Sequence, residues 1–251
     1  VRGARPNGRR RGHGAAPTGG STPAPPGPAP DLASIAPAPR LGHPSKVAWL
    51  DHLVVTGADP DTAAAHVAGL LGLAPDPGGR HDVMGTVNRL LHLGPSLYLE
   101  AIGPEPGAPA PDRARWFGLD APPATPRLAA WVVRCADLEA ALDRADLPGA
   151  EILTVSRGAL SWRMAVPPSG LTPFGGLFPW MIEWQGAAHP AAQLPDRACR
   201  LLSVEITHPQ AHAMAAALAG LIDEPRVAVV AGPAPALSAS IATPDGPRML
   251  T

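Results

Sequence analysis

One segment of this chain occurs twice. Residues 50–59 (LDHLVVTGAD) recur as residues 128–137 (LAAWVVRCAD), 78 positions later. In each copy a short apolar run ends at an Ala–Asp boundary and a helix-forming stretch follows. An internal repeat of this kind means that a supersecondary unit has been duplicated, so both halves are expected to share one topology. Each copy also closes on a strand-like run with one carboxylate: Tyr98, Leu99 and Glu100 in the first, Met181, Ile182 and Glu183 in the second.

In the first copy, residues 47–56 alternate as a strand does, with His52 and Val54 on one face and Leu53 and Val55 on the other. Asp59 stands as a helix N-cap, Pro60 takes the first helical position, 62–71 follow as an Ala-rich helix, and Gly72 suits the C-cap. Residues 86–93 and 97–102 read as strands joined at Gly94, Pro95 and Ser96, while Gly78 and Gly79 read as a turn carrying Arg80 and His81. A Pro/Gly-rich linker, 103–125, is interrupted by Arg115, Trp116, Phe117 and Gly118. The second copy gives a strand at 128–134, a helix at 137–144, strands at 151–157 and 160–166 around Gly158, and a last strand at 179–184. A loop at 171–177 accounts for the longer spacing between the two carboxylates. Residues 197–251 hold a further β-α-β-β unit, in which Ser203 stands where His52 stood and Ser240 near the place of Glu100; it is read as packing. The expected fold class is therefore α+β: two βαβββ modules, 47–102 and 126–185, forming one domain over 47–186, with an appended unit.

Charge is divided unevenly. Residues 1–46 carry Arg2, Arg5, Arg9, Arg10, Arg11, Arg40 and Lys46 against a single acid, Asp31, which leaves the remainder net acidic. That argues against a nucleic-acid-binding body. The leader is built of Gly, Pro, Ala, Ser and Arg, too poor in large apolar groups to offset the entropy of ordering, and is expected to be disordered. Its apolar runs are interrupted too often for a secretory signal, and no run elsewhere approaches the roughly 18 residues of a membrane helix. Cys135 and Cys199 make no disulfide framework. A soluble, cytoplasmic protein with no membrane partner is the expectation.

The order of these pieces resembles the vicinal oxygen chelate superfamily, and within it the glyoxalase-like domain group. The residues that carry the resemblance are Asp51 to Val54, Tyr98 to Glu100, Gly79 to His81 with Gly85, Thr86 and Asn88, the string 115–119 (RWFGL), Ser156 and Arg157 with Trp162 and Arg163, and Ile182 to Trp184. It covers 47–186 well and 197–251 loosely. The resemblance implies a cup-shaped sheet with helices outside, often paired into dimers, so a homodimer is compatible with it. In metal-using members, first-strand and last-strand residues of both modules bind one divalent cation. Carried across, these positions are His52, Glu100, Ala130 and Glu183; three can ligate and Ala130 cannot.

Alternation alone places His52 opposite Leu53 and Val55, and Glu100 opposite Leu99 and Ala101. If the cup forms, His52, Glu100 and Glu183 converge in it. Two carboxylates about 4 Å apart repel by about 4 kcal/mol at an effective dielectric near 20. A cation, a shared proton or an arginine must relieve that. One imidazole and two carboxylates suit Mn, Fe, Ni or Zn, and three ligands with an open position suit catalysis. The alternative is a core histidine with glutamates paired to Arg89, Arg157 or Arg163.

Arg80, His81, Asn88, Trp116, Arg157 and Arg163 describe a pocket for a small anionic or oxygenated molecule, since arginine forks hold carboxylates and indoles supply apolar walls. Trp162 and Arg163 alternate, so one of them lines the cup. Cys135, Ser156 and Ser203 lack a nucleophile's setting, Gly78 and Gly79 belong to no phosphate loop, and His208 with His212 lacks a third ligand. Two functions follow as expectations. One is an isomerase, lyase or dioxygenase of glyoxalase type, with a metal on His52, Glu100 and Glu183 and Glu100 or Glu183 as general base. The other is a metal-free small-molecule binder of the same superfamily.

Overall fold

Each copy of the repeat folds as strand, helix and three strands in a computed structural model that describes residues 47–145 and 147–251; the leader read at 1–46 lies outside the described residues. The first copy comprises β1 (Ala48–Thr56), α1 (Pro60–Leu71), β2 (Asp76–His81), β3 (Thr86–Gly94) and β4 (Leu97–Pro104). The second comprises β5 (Arg127–Cys135), α2 (Leu138–Ala145), β6 (Glu151–Arg157), β7 (Leu160–Val166) and β8 (Trp180–Trp184). Together they make one eight-stranded sheet in the order β2-β3-β4-β1-β5-β8-β7-β6. The two first strands, β1 and β5, join antiparallel at its centre, and each runs parallel to the last strand of its own copy. A single chain therefore completes the sheet. The sheet curls until its two end strands meet, Arg157 of β6 packing over Gly79 of β2.

Local chemistry sets these elements. Asp59 accepts from the Thr62 amide at 2.7 Å while Thr62 Oγ1 accepts from the Asp59 amide at 3.2 Å, a reciprocal cap on α1. Gly72 ends the helix at φ 75°, a left-handed value that disfavours any side chain. Where a turn was expected at Gly78 and Gly79 there is a strand. Pro77 and the two glycines weaken the strand signal, but β2 is an edge strand whose pairing with β3 is interrupted between Pro77 and Arg80, where such residues are tolerated.

Two bulges, related by the repeat, orient the central strands. Pairing slips by one residue at Asp51 in β1 and again at Ala129 in β5, 78 positions on. The extra residue resets the alternation, so Leu50 joins Leu53 and Val55 on the outer, helix-covered face, while His52 and Val54 face the concave side. Behind the sheet, Leu53, Leu99, Trp131 and Val133 pack on Ala63, Val67 and Leu71 of α1 and on Val204, Ile206 and Ile241 of the C-terminal unit.

After a short helix, α3 (Pro190–Gln193), that unit forms a second sheet from β9 (Arg200–His208), β10 (Val227–Ala231), β11 (Ala236–Thr243) and β12 (Gly246–Leu250), with α4 (Ala211–Ala219) between β9 and β10. It has one strand more than the expected β-α-β-β. Its order is β10-β9-β11-β12, with β9 parallel to β10 and antiparallel to β11, so it is not a third copy of the repeat. Ser203 and Ser240 are simply cross-strand partners. Among the described residues no helix is long and apolar enough to cross a membrane.

Candidate active site in the cup

The concave face gathers its polar groups on the first module. The bulge at Asp51 turns that carboxylate, fully buried, beside His52: Asp51 Oδ1 lies 2.6 Å from His52 Nδ1. Asp51 Oδ2 also accepts from Trp184 Nε1 at 3.1 Å and lies 3.0 Å from His189 Nε2. On its other side, His52 Nε2 stands 3.5 Å from Glu100 Oε2. Glu100 Oε1 accepts from Asn88 Nδ2 at 2.5 Å, and Asn88 Oδ1 accepts from the Gly79 amide at 2.8 Å and from Arg157 Nη1 at 3.1 Å. Arg157 Nη1 also lies 3.2 Å from His81 Nε2, whose Nδ1 meets Thr86 Oγ1 at 3.1 Å. Tyr98 stacks on His52 with ring centroids 4.4 Å apart.

The network fixes charge states. Burial opposes a charge on His52, but Asp51 and then Glu100 outweigh it and raise its pKa to about 9. Burial likewise opposes ionised Asp51 and Glu100, yet hydrogen bonds from His189 and His52 hold Asp51 well below the usual carboxylate range, and His52 with Asn88 holds Glu100 low. His81 behaves oppositely: burial, with Arg157 close by, brings it down to about 4. The cup thus holds an imidazolium between two carboxylates, and a neutral imidazole under a guanidinium. Such a set can hand a proton from His52 to an acceptor oxygen and fix a negative group at Arg157.

Four of the six expected binding residues, His81, Asn88, Trp116 and Arg157, line one cavity with His52 and Glu100. Arg80 does not; it alternates with His81 on β2 and points outward to Glu105 at 2.6 Å. Arg163 lies on the outer face too, paired with Glu139 and with Glu183, while its neighbour Trp162 lines the cup.

Glu183 is the main correction. Its Oε2 accepts from the amide of Leu138, the first residue of α2, at 2.9 Å, and Arg163 Nη1 lies 3.3 Å away. It caps a helix outside the cup. Register gives the reason. In the first copy Val54 pairs with Glu100; in the second, the equivalent Val132 pairs with Trp180. The counterpart of Glu100 is thus Trp180, and Glu183, three residues further along the strand, falls on the opposite face. Replacing Glu183 by alanine is expected to remove about 1 kcal/mol of capping energy. That lowers the melting temperature by roughly 2–4 °C and leaves the fluorescence spectrum of the cup tryptophans unchanged; a change in that spectrum would return Glu183 to the cup.

The second module therefore contributes Ala129, Ala130 and Trp180 where the first contributes Asp51, His52 and Glu100. A divalent cation shared between modules needs a donor from each position. A methyl group has none, and an indole N–H donates without a lone pair to give. His52 Nε2 and the Glu100 carboxylate face each other at 3.5 Å, but the second module adds no donor to them. Among the described residues no group of three His, Cys, Asp or Glu is placed to hold a metal. The residues present do not fit Mn, Fe, Ni or Zn.

Apolar walls complete the cup. Trp116 and Phe117, from the connection between modules, fold into it beside Trp162, Met164 and Ile182, and leave a cavity of only about 30 Å³. Phe117 sits at φ 57°, a strained value for a non-glycine residue, with its ring 4.8 Å from that of Trp180. The indole nitrogens of Trp116 and Trp180 are buried without partners among the described residues. Asp51 and Tyr98 carried the resemblance but no expected site role, and His189 was not singled out; only the adjacency of Asp51 to His52 hinted at the first. Cys135, its thiol pushed up to about 12 by burial, is no nucleophile.

A family profile described as "Glyoxalase-like domain" matches residues 50–222, more than half of the chain. No curated protein matches it. Among solved structures, a hypothetical protein from Staphylococcus aureus is similar at a TM-score of 0.53 and 13% identity, over 74% of this chain and 86% of that one. The Mn(II)-bound glyoxalase from Novosphingobium aromaticivorans matches at 0.45 and 11% identity over 80% of each chain. Methylmalonyl-CoA epimerase from Mycobacterium tuberculosis matches at 0.38 and 21% over 57% of this chain and 92% of that one. With the duplicated βαβββ modules and the cup they enclose, the profile match settles the relationship: the chain belongs to the glyoxalase-like family of the vicinal oxygen chelate superfamily.

Proposed function

We propose that the protein binds a small oxygenated or anionic molecule in the cup, and that it does so without a metal. The observation that carries this reading is the sheet register, which puts Ala130 and Trp180 where half of a metal cage would have to stand. Recognition falls to the first module and Arg157. A carboxylate or carbonyl oxygen finds the guanidinium, the His52 imidazolium and the unpartnered Trp116 indole as donors, while Trp162 and Met164 take an apolar body. The Arg157 fork favours small 2-oxo and 2-hydroxy carboxylates as the ligand class.

Elemental analysis of untagged protein tests the metal half. Wild type is expected at the level of a buffer blank, whereas Ala130→His with Trp180→Glu, which rebuilds the missing donors, gains up to one transition metal per chain. Stoichiometric metal in wild type, lost in Glu100→Ala, overturns the reading. Thermal shift with pyruvate, glycolate and lactate tests the ligand half; saturation at 100 times the dissociation constant stabilises by about 2.7 kcal/mol, and Arg157→Met should abolish the shift.

A further inference from the structure

The free space in the cup, about 30 Å³, admits water but is far below what a ligand pocket offers. A carboxylate fits only if the cup widens, and between the two ends of the sheet widening breaks no strand ladder. The end strands β2 and β6 meet but are not hydrogen-bonded neighbours in the sheet. They are held by Arg157, which crosses from β6 to His81 Nε2 at 3.2 Å and Asn88 Oδ1 at 3.1 Å. Separating them exchanges the two Arg157 bonds for water and parts the His81 ring from Trp162, their centroids 5.8 Å apart. The closure is fitted to a glycine. A Cβ on Gly79 would lie 2.5 Å from Arg157 Cδ and 2.8 Å from its Nε, so no other residue lets the arginine lie flat across the seam.

Outside the seam lies a second, open cavity of about 280 Å³. Leu90, Arg157 and Pro190 line both it and the inner one, so the arginine stands in the wall between them. Among the residues lining the outer cavity, Arg157 alone is charged. Its Nη1 makes both bonds that close the seam; Nε and Nη2 have no partner among the described residues.

We propose that this seam is the door of the cup, that Arg157 is its latch, and that the outer cavity is a docking site where a small carboxylate first meets the unused guanidinium donors. The carboxylate competes for the fork, the arginine swings off His81 and Asn88, and the same residue carries the anion inward. This rests on the reading of the cup as a ligand pocket and adds the route and the residue that controls it.

Tryptophan quenching tests the door without any ligand. Trp49, 37% exposed, is first changed to Phe, leaving Trp116, Trp162, Trp180 and Trp184 in or beside the cup and Trp131 behind the sheet. In that background Gly79→Ala and Arg157→Met are each expected to raise the acrylamide quenching constant at least twofold, with far-UV circular dichroism and the urea midpoint showing a folded chain. The ratio of iodide to acrylamide quenching should fall at least twofold in Arg157→Met and hold in Gly79→Ala, which keeps the charge. Arg157→Lys, which retains the charge without the fork, should show raised acrylamide quenching with the ratio kept, and carries the test if the methionine variant does not fold. Unchanged acrylamide quenching in the folded variants overturns the latch, and an unchanged ratio in Arg157→Met overturns the docking of anions. Neither readout uses metal or substrate, so these results can fail while the metal and thermal-shift experiments succeed, and the reverse.

Discussion

His52→Ala is expected to cost about 3–5 kcal/mol of folding stability, because it leaves two buried carboxylates without the cation between them. Asp51 is fully buried and Glu100 nearly so. Asp51 keeps His189 at 3.0 Å, the Trp184 indole at 3.1 Å and Arg134 at 3.7 Å, but Glu100 keeps only the Asn88 amide. Most of the loss should therefore sit on the glutamate. Urea denaturation reads it directly, and the melting temperature should drop by roughly 6–20 °C. Adding Glu100→Gln removes the orphaned charge while keeping an acceptor for Asn88, so the double variant should recover part of the loss. A single-variant loss under about 1 kcal/mol, or no recovery in the double variant, would mean that His52 is not the charge that binds the two acids.

The architecture was legible because the repeat is long enough to name a topology: LDHLVV and LAAWVV are both central strands, and their offset of 78 is the one that relates β1 to β5 in the sheet. His52 and Glu100 were legible for the same reason, each alternating against apolar neighbours that the outer face buries. Three things were not. The bulge at Asp51 leaves no mark in the sequence, since strict alternation would send Leu50 to the cup and Asp51 to the helices. The register of β8 is set by pairing of Trp180 with Val132, not by distance along the chain; choosing the carboxylate nearest the expected offset selected Glu183, an odd number of residues away and so on the wrong face. His189 reaches Asp51 across 138 residues, and no local pattern announces such a contact. The resemblance supplied a four-place frame with Ala130 already unable to ligate, but which residue fills each place is a property of hydrogen-bonded strands, and Trp180 stands where Glu183 was expected.

Stability should peak near pH 6.5 and fall on both sides, with the alkaline limb belonging to His52. A histidine raised to about 9 in the folded chain from 6.5 in the unfolded one contributes stability that is fully present below 6.5 and disappears as pH climbs through 9. At 1.36 kcal/mol per pKa unit, about 3 kcal/mol is at stake on that limb. On the acid side His81 works with the opposite sign. Its folded value near 4 means that between pH 6.5 and 4 the unfolded chain takes up a proton the folded chain refuses, so folding weakens as pH falls. Asp51 and Glu100, both held low, add to that limb, since their contribution is present above the unfolded carboxylate value and is lost as pH drops through the folded one. Urea midpoints at pH 5, 6.5 and 9 trace the curve. His52→Gln, already less stable at pH 6.5, should lose little more by pH 9 and lose the Asp51 and Glu100 share of the acid limb, while His81→Gln should remove only the decline between pH 6.5 and 5. An alkaline loss of full size in His52→Gln would place the charge that holds the cup together on some other residue.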